Sequence, residues 1–397
     1  MGDRSGKYVK LGTIRAFRPS PLPPRPAIEF SQTLTLALSR ADRALARLDG
    51  AVGTIPDPEM LVYAFMRQEA VLSSQIEGTE ASLEDLLEFE IDDTSRNLNS
   101  DVYEVINYLD AMKWAVSEVT SKPITLNLIK YAHSILLKQG RGASRAPGEF
   151  RQNQNWIGPP GCEIEEASFV PPAVPDMHAA LDNLEKYINE PGGLPDLVQC
   201  ALVHAQFETI HPFWDGNGRL GRMLITLLLC DRGVLELPVL YLSLFFKRNR
   251  AEYYNHLQRI RDYGEWEAWV IFFLRGVTTT SKSALTAAKA IRSLREKMVR
   301  EANAISNSPN AFRFGEMLFQ TAYFTAKRVG DLLKISPATA NTLIDSYKEA
   351  GYIIQANERK RDRVYAFKPY LDILHECADD LSEVIGEIDH LATNPEN

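Results

Sequence analysis

Twelve residues from His211 to Arg222, reading His-Pro-Phe-Trp-Asp-Gly-Asn-Gly-Arg-Leu-Gly-Arg, hold a base, a carboxylate, three glycines and two guanidinium groups. Asp215-Gly216-Asn217-Gly218 is turn-forming, and its glycines admit backbone angles closed to other residues. A helix starting near Gly218 turns backbone N–H groups and its positive end toward an anion. Arg219 and Arg222 lie three apart in the first turn, so they can converge on one side and offer planar forks to phosphate oxygens. Asp215 is the natural oxygen ligand for Mg²⁺, a cation shared between a carboxylate and substrate phosphates. His211, just before the turn, is the neutral-pH base within reach of an attacking hydroxyl. Together the parts describe phosphoryl-group transfer by positioning and charge stabilisation. Each part alone has a plainer reading: His-Pro as scaffold, DGNG as a turn, two arginines as surface charges.

The surrounding pattern is helical from Phe30 onward. Leu34, Leu38, Ala41 and Leu45 recur every three or four residues, as do Leu61, Phe65, Leu72 and Ile76 in a helix that Gly78 ends. Ser82 and Asp85 form a capping-box variant before Leu86 and Phe89. Helices are also expected over Val102–Val119, Leu126–Leu137, Asp176–Ile188 and Asp196–Thr209, with Arg219–Cys230 apolar enough to be central and buried. Arg141–Pro175 is rich in proline and glycine, and reads as a loop with a small β-hairpin around Trp156–Ile157 and Ser168–Val170. Residues 1–29 carry Pro19, Pro21, Pro23, Pro24 and Pro26 and read as an extended arm over the surface.

The chain has 397 residues, 45% hydrophobic and 24% charged, with net charge −8, so nothing global advertises nucleic-acid or membrane binding. That length suggests two or three domains. Cys162, Cys200, Cys230 and Cys377 are scattered without CxxC spacing, which argues against zinc or a disulfide framework and suits a cytoplasmic protein. The polar start, Met1–Lys10, lacks a signal-peptide apolar stretch, and no apolar run reaches the ~20 residues of a membrane span.

The 211–222 run also resembles the signature of the Fic (filamentation induced by cAMP) family, HxFx[DE]GNGRxxR, at every specified position. Pro147-Gly-Glu-Phe-Arg151, Phe169-Val-Pro-Pro172, and Tyr253-Tyr254 followed by Trp266 and Trp269 extend the resemblance over roughly residues 30–275. It implies an all-α fold, a Fic helical core with a β-hairpin flap, and AMP transfer from ATP to a Tyr, Thr or Ser hydroxyl of a target protein, with self-modification. The resemblance makes His211 the general base and Asp215 the Mg²⁺ ligand. Gly216, Asn217, Gly218, Arg219, Leu220, Gly221 and Arg222 form the nucleotide contact set, Arg219 and Arg222 on the β- and γ-phosphates. Tyr254 stands at the adenine pocket, or is simply core. The 156–170 hairpin docks the target by strand addition. A branch with Lys at the position of Gly218 phosphorylates its targets; the glycine here favours nucleotide transfer.

Ser73-Ser-Gln-Ile-Glu77-Gly78 matches the family's inhibitory pattern [ST]xxxE[GN], which implies an inhibitory helix over 58–78 with Glu77 paired to Arg222. A Glu at a helix C-terminus is disfavoured by ~0.3–1 kcal/mol when exposed, so a compensating partner is expected. After a connecting helix at 276–309, residues 310–397 resemble a winged-helix domain with a closing amphipathic helix, Tyr370–Leu391. Its helix-turn-helix is Thr325–Lys334, Ile335-Ser-Pro337 and Ala338–Ala350, and its wing carries Arg359, Lys360, Arg361 and Arg363. Residues 325–368 hold nine basic and five acidic residues, net +4 in an acidic chain. DNA binding through 325–368 and a protein-interaction or dimerisation role stand about level, because the second helix offers Thr339, Asn341 and Thr342 but little positive charge. The expectation is thus an autoinhibited, Mg²⁺-dependent protein adenylyltransferase. The alternatives are a DNA-binding regulator with a nucleotide-sensing core, and an enzyme that removes AMP through a Glu77-directed water.

Overall fold

A computed structural model describes residues 4–53, 55, 58–91, 100–159, 161–190, 192–357 and 363–379. The chain opens with an antiparallel hairpin, β1 (Gly6–Leu11) and β2 (Ile14–Pro19), before the proline-rich stretch. The arm is therefore half hairpin: Tyr8 and Phe17, directly opposite on the two strands, pack edge to face, a pairing that the proline pattern gives no hint of. Backbone N–H of Phe17 also donates to Val170 O at 2.9 Å, which ties the hairpin to the loop expected to form the flap.

Helices α1 (Gln32–Gly53), α2 (Glu59–Ile76), α3 (Leu83–Phe89), α4 (Ser100–Val119) and α5 (Leu126–Leu136) form one side of the core. Gly78 adopts φ +93°, and the N–H groups of Gly78 and Thr79 reach back to Gln75 O and Ser74 O. This Schellman arrangement stops α2 where the sequence placed its end. The Ser82–Asp85 capping box opens α3. In the flap region one antiparallel bridge joins Ile157 and Phe169, with a short 3-10 turn at Ile164–Glu166, so among the described residues the expected hairpin is reduced to one rung.

Next come α6 (Val174–Asn189), α7 (Asp196–Ile210), α8 (Asn217–Asp231), α9 (Ser243–Arg248) and α10 (Arg250–Tyr263). Every residue of α7 from Leu197 onward is buried. Three of its polar members find backbone acceptors there: Gln199 on Tyr187 O, Gln206 on Ser20 O, Thr209 on Ala205 O. A 40-residue helix, α11 (Trp266–Ile305), begins inside the core and is continuous with the segment expected to start at 276. Trp269 is fully buried and donates its indole N–H to Ala201 O at 2.8 Å.

The C-terminal unit comprises α12 (Ala311–Gln320), β3 (Tyr323–Phe324), α13 (Ala326–Leu333), α14 (Pro337–Glu349), β4 (Ile353–Gln355), β5 (Tyr365–Phe367) and α15 (Lys368–Asp379). Its three strands pair antiparallel in the order β3-β5-β4. Thr325 and Ser336 cap α13 and α14, with Lys334 left-handed between them at φ 56°. Helix α15 packs on α11, and Gln68 of α2 donates to Leu374 O at 3.2 Å, so the unit also touches α2. Arg359, Lys360 and Arg361, Cys377's side chain and the stretch after Asp379 lie outside the described residues. Among the described residues no helix is long and apolar enough to cross a membrane.

Candidate functional site

The corner between α7 and α8 carries the 211–222 run. His211 caps α7 in the left-handed region, at φ 48° and ψ 61°, uncommon for a residue other than glycine. Two side chains from the Arg141–Pro175 segment fix it: Arg151 Nε and Asn155 Nδ2 donate to His211 O at 3.1 and 3.2 Å. Arg151 itself is buried, and burial lowers its guanidinium to about 10. Burial, with the positive charges of Arg261 and Arg151, pushes the His211 imidazole down to about 3, so it is neutral over the whole physiological range.

The loop is closed by its own asparagine. Asn217 Oδ1 accepts from Phe213 N at 2.8 Å and its Nδ2 donates to Phe213 O at 2.9 Å. The carboxamide expected on a phosphate oxygen thus also shapes the turn, with one N–H of Nδ2 taken. Gly216 has φ +76°, which suits the residue before a helix that needs no side chain there. His133 of α5 stacks on Phe213 at 3.7 Å, accepts from Gly148 N through Nδ1 and donates to Asp215 O through Nε2. Burial lowers it to about 4, so it remains a neutral strut under the loop.

Asp215 Oδ1 accepts from Gly216 N at 2.6 Å and meets Arg219 Nη2 at 3.4 Å. Its side chain is one-third exposed, and Oδ2 has no hydrogen bond among the described residues. No cluster of three or more His, Cys, Asp or Glu among the described residues could hold a metal alone. One open carboxylate oxygen beside an anion site nonetheless fits Mg²⁺ shared with substrate phosphates.

Arg222 is buried and faces α2. Its Nη2 pairs with Glu77 Oε1 at 2.7 Å and also donates to Ser73 O at 2.9 Å, while Nε donates to Ser73 Oγ at 2.9 Å. Burial alone would lower this guanidinium, but Glu77 and the nearby acidic groups outweigh it and the pKa is raised. A Cβ on Gly218 would lie 2.2 Å from Glu77 Oε1 and 3.0 Å from Arg222 Nη1. The carboxylate thus rests over the N-terminal turn of α8, in the position that a helix terminus offers to an anion. Glycine at 218 is what admits it.

Arg219, expected on the β-phosphate, turns inward and pairs with Glu104 Oε2 on α4 at 2.9 Å, with both side chains 1% exposed. Leu220 is core, and Gly221 packs against Phe207 and Glu208, its carbonyl accepting from His204 Nδ1 at 2.9 Å. Those two support the helix from behind. Tyr253 OH donates to His204 Nε2 at 2.8 Å, and Tyr254 is 41% exposed beside it, with Arg250 over its ring at 5.6 Å. Tyr254 is therefore a rim residue, not core. His133, Arg151, Asn155, Glu104 and Glu208 escaped the sequence reading as site groups. Only Arg151 carried a signal, as part of a matching segment with no role attached.

Two models of the Fic/DOC family match the chain: the N-terminal one at residues 35–117 and the Fic one at residues 123–229. Over residues 35–117 and 123–229 the chain belongs to the Fic/DOC family. It is 30% identical over 172 residues to a protein adenylyltransferase Fic of Drosophila virilis, covering 43% of this chain and 32% of that protein. The chain thus spans about a third of the length of the curated relatives it matches. A crystal structure of a Fic family protein from Desulfovibrio desulfuricans shares the fold, with a TM-score of 0.57 at 18% identity, covering 86% of this chain and 97% of that one. A Fic domain containing signaling protein from Bacteroides thetaiotaomicron follows at 0.50 and 19%, covering 65% and 95%.

Proposed function

We propose that this chain transfers AMP from ATP, with Mg²⁺, to a Tyr, Thr or Ser hydroxyl of a target protein, and that α2 holds it inhibited. The observation that carries this reading is the Glu77 carboxylate lying over Gly218 and paired with Arg222. A carboxylate in that place competes with a nucleotide phosphate for both the helix terminus and the guanidinium.

In the reaction the target hydroxyl oxygen attacks the α-phosphorus, the bond to pyrophosphate breaks, and the hydroxyl proton passes to the His211 imidazole. The imidazole's proton affinity is low while it is buried among Arg151 and Arg261; the negative phosphates of bound ATP raise it when the base is needed. Asp215 would hold Mg²⁺, which neutralises phosphate charge. Arg222, once released, clamps the terminal phosphates, and the amides of Gly216 and Gly218 face the rest. Tyr254 forms a wall for the base. The flap supplies the target's seat. Both backbone groups of Ile157 pair with Phe169, so those of its extended neighbours point away, toward an added strand, beside exposed Trp156.

The C-terminal unit is read as a winged helix. Asn341, Thr342, Asp345, Lys348 and Glu349 lie on the exposed face of α14, one basic residue against two acidic, a poor surface for DNA phosphates. A protein partner, or a second copy, is favoured for that face.

Intact-mass spectrometry of wild type and Glu77→Gly with ATP and Mg²⁺ tests the enzyme reading. One or more AMP masses on Glu77→Gly, and few or none on wild type, are expected. If neither protein gains AMP nor transfers labelled AMP to a lysate, the transferase reading fails. Faster loss of AMP from a premodified target with wild type than with Glu77→Gly would instead favour AMP removal.

A further inference from the structure

Arg219 and Glu104 form a buried pair that the chemistry above does not use. Arg219 Nη1 donates to Glu104 Oε2 at 2.9 Å, and the same oxygen accepts from Thr79 Oγ1 at 3.2 Å and from Arg141 Nη2 at 3.4 Å. Glu104 Oε1 and Arg219 Nε are buried without a partner among the described residues. A half-satisfied buried ion pair is a poor stability device, since desolvation offsets most of its attraction. Its effect on geometry is larger. Arg219 reaches past Glu104 to Asp215 Oδ1, an oxygen already bonded to Gly216 N. The carboxylate of Asp215 is thereby fixed by one oxygen and open at the other, beside Gly142, whose Cβ would stand 3.2 Å from Oδ2.

We propose that Glu104 is a positioning residue for the cation side of this site. Acting through Arg219, it sets the rotamer of Asp215 so that Oδ2 alone is presented to the metal–nucleotide. Thr79 comes directly after the Glu77-Gly78 end of α2, so its hydroxyl ties the same assembly to the inhibitory segment. One short stretch, residues 73–79, then touches both arginines of α8: Arg222 through Ser73 and Glu77, and Arg219 through Thr79 and Glu104. This inference rests on the reading of Asp215 as the cation ligand.

The test uses full-length Glu77→Gly, with the site open, and Mn²⁺ as the probe in the presence of a non-hydrolysable ATP analogue. Bound Mn²⁺ is read by electron paramagnetic resonance, and metal-free analogue binding is read separately by calorimetry. Adding Glu104→Gln keeps the side chain's size and a hydrogen-bonding oxygen. It is expected to weaken Mn²⁺ about 10-fold or more, the usual effect of losing a group that orients a metal ligand, while metal-free analogue affinity moves less than about 2-fold. Arg219→Lys, which keeps the charge and loses the fork, should show the same split, and the two changes together should do no more than either alone. Unaltered Mn²⁺ affinity in a Glu104→Gln protein that melts cooperatively overturns the proposal. So does an equal fall in metal and metal-free binding, which marks a merely structural role. If Glu77→Gly with native Glu104 binds no Mn²⁺–nucleotide and transfers no AMP, it is the reading of the site that fails, not the role of Glu104 within it.

Discussion

The first turn of α8 stands between two walls, and each wall offers a carboxylate to one of its arginines. Helix α2 presents Glu77 to Arg222, and α4 presents Glu104 to Arg219, at 2.7 and 2.9 Å. The arginines are equally buried, but the Glu77 side chain is 32% exposed and the Glu104 side chain 1%. Breaking the pair with a wet partner costs less, because water takes over the released carboxylate and Ser73 stays on the guanidinium. Breaking a dry one strands a charge at several kcal/mol. On the proposed reading the same chemistry, carboxylate on guanidinium, is a releasable latch on one side and a fixed strut on the other. A device that must open belongs at the water's edge.

The largest effect expected is on the reaction. In the Glu77→Gly background, His211→Ala should lower AMP incorporation by ~10²–10⁴-fold, the usual worth of a general base, with ATP analogue affinity nearly unchanged by calorimetry. Retained turnover would separate the latch from the chemistry it is meant to restrain. Stability sets the two walls apart next. Arg219→Ala leaves buried Glu104 with only Thr79 and the half-exposed Arg141 to hold it, at a cost of up to ~3–5 kcal/mol, whereas Glu77→Gly leaves Arg222 on Ser73 and opens its guanidinium to water, and should cost clearly less. Urea titrations of both variants read this directly, and equal midpoints would erase the distinction between latch and strut.

Which of these features the sequence displays follows from how local they are. The 211–222 run, the Schellman end at Gly78 and the capping box at Ser82 depend on neighbours in the chain, so residue types at fixed spacing reveal them. The Glu77–Arg222 pair is distant in sequence and was legible only through the resemblance. Glu104, by contrast, sits 115 residues from Arg219 on an ordinary amphipathic helix. Nothing in its spacing separates it from a solvated glutamate, and only packing reveals the buried side chain. Asn217 and Arg219 looked like phosphate ligands because their chemistry suits that task. In the fold the first also holds its own loop and the second pairs with Glu104, contacts that residue type and spacing do not reveal. The N-terminal hairpin was hidden by prolines that lie mostly after its strands, from Pro19 to Pro26. Residues 266–305 form one continuous helix, so no break marks the domain boundary expected at 276.

The smallest effect lies behind the latch, at Glu208. This carboxyl is buried against Gly221 with Oε1 unpartnered among the described residues, and burial raises it to about 7, with Glu77 adding to the rise and Arg222 opposing it. A group raised on folding binds its proton more tightly in the native state than in the unfolded chain, where its value is 4.5. Its contribution to stability is therefore complete below about 4.5 and is lost as pH rises through about 7. The buried histidines 133, 204 and 211 run the other way, since their lowered values cost stability as pH falls below 6.5. Comparing wild type with Glu208→Gln at each pH cancels the histidines and isolates the carboxyl. Relative to the variant, wild type should lose stability between pH 5 and 7, at no more than ~1.4 kcal/mol per pH unit, in urea unfolding at matched ionic strength. Repeating the pair of measurements in Glu77→Gly should shrink that pH dependence, because the charge that helped to raise Glu208 has gone while Arg222 remains on the same helix. An undiminished pH dependence would mean that Glu208 does not feel the latch, and that burial and the arginines set its proton.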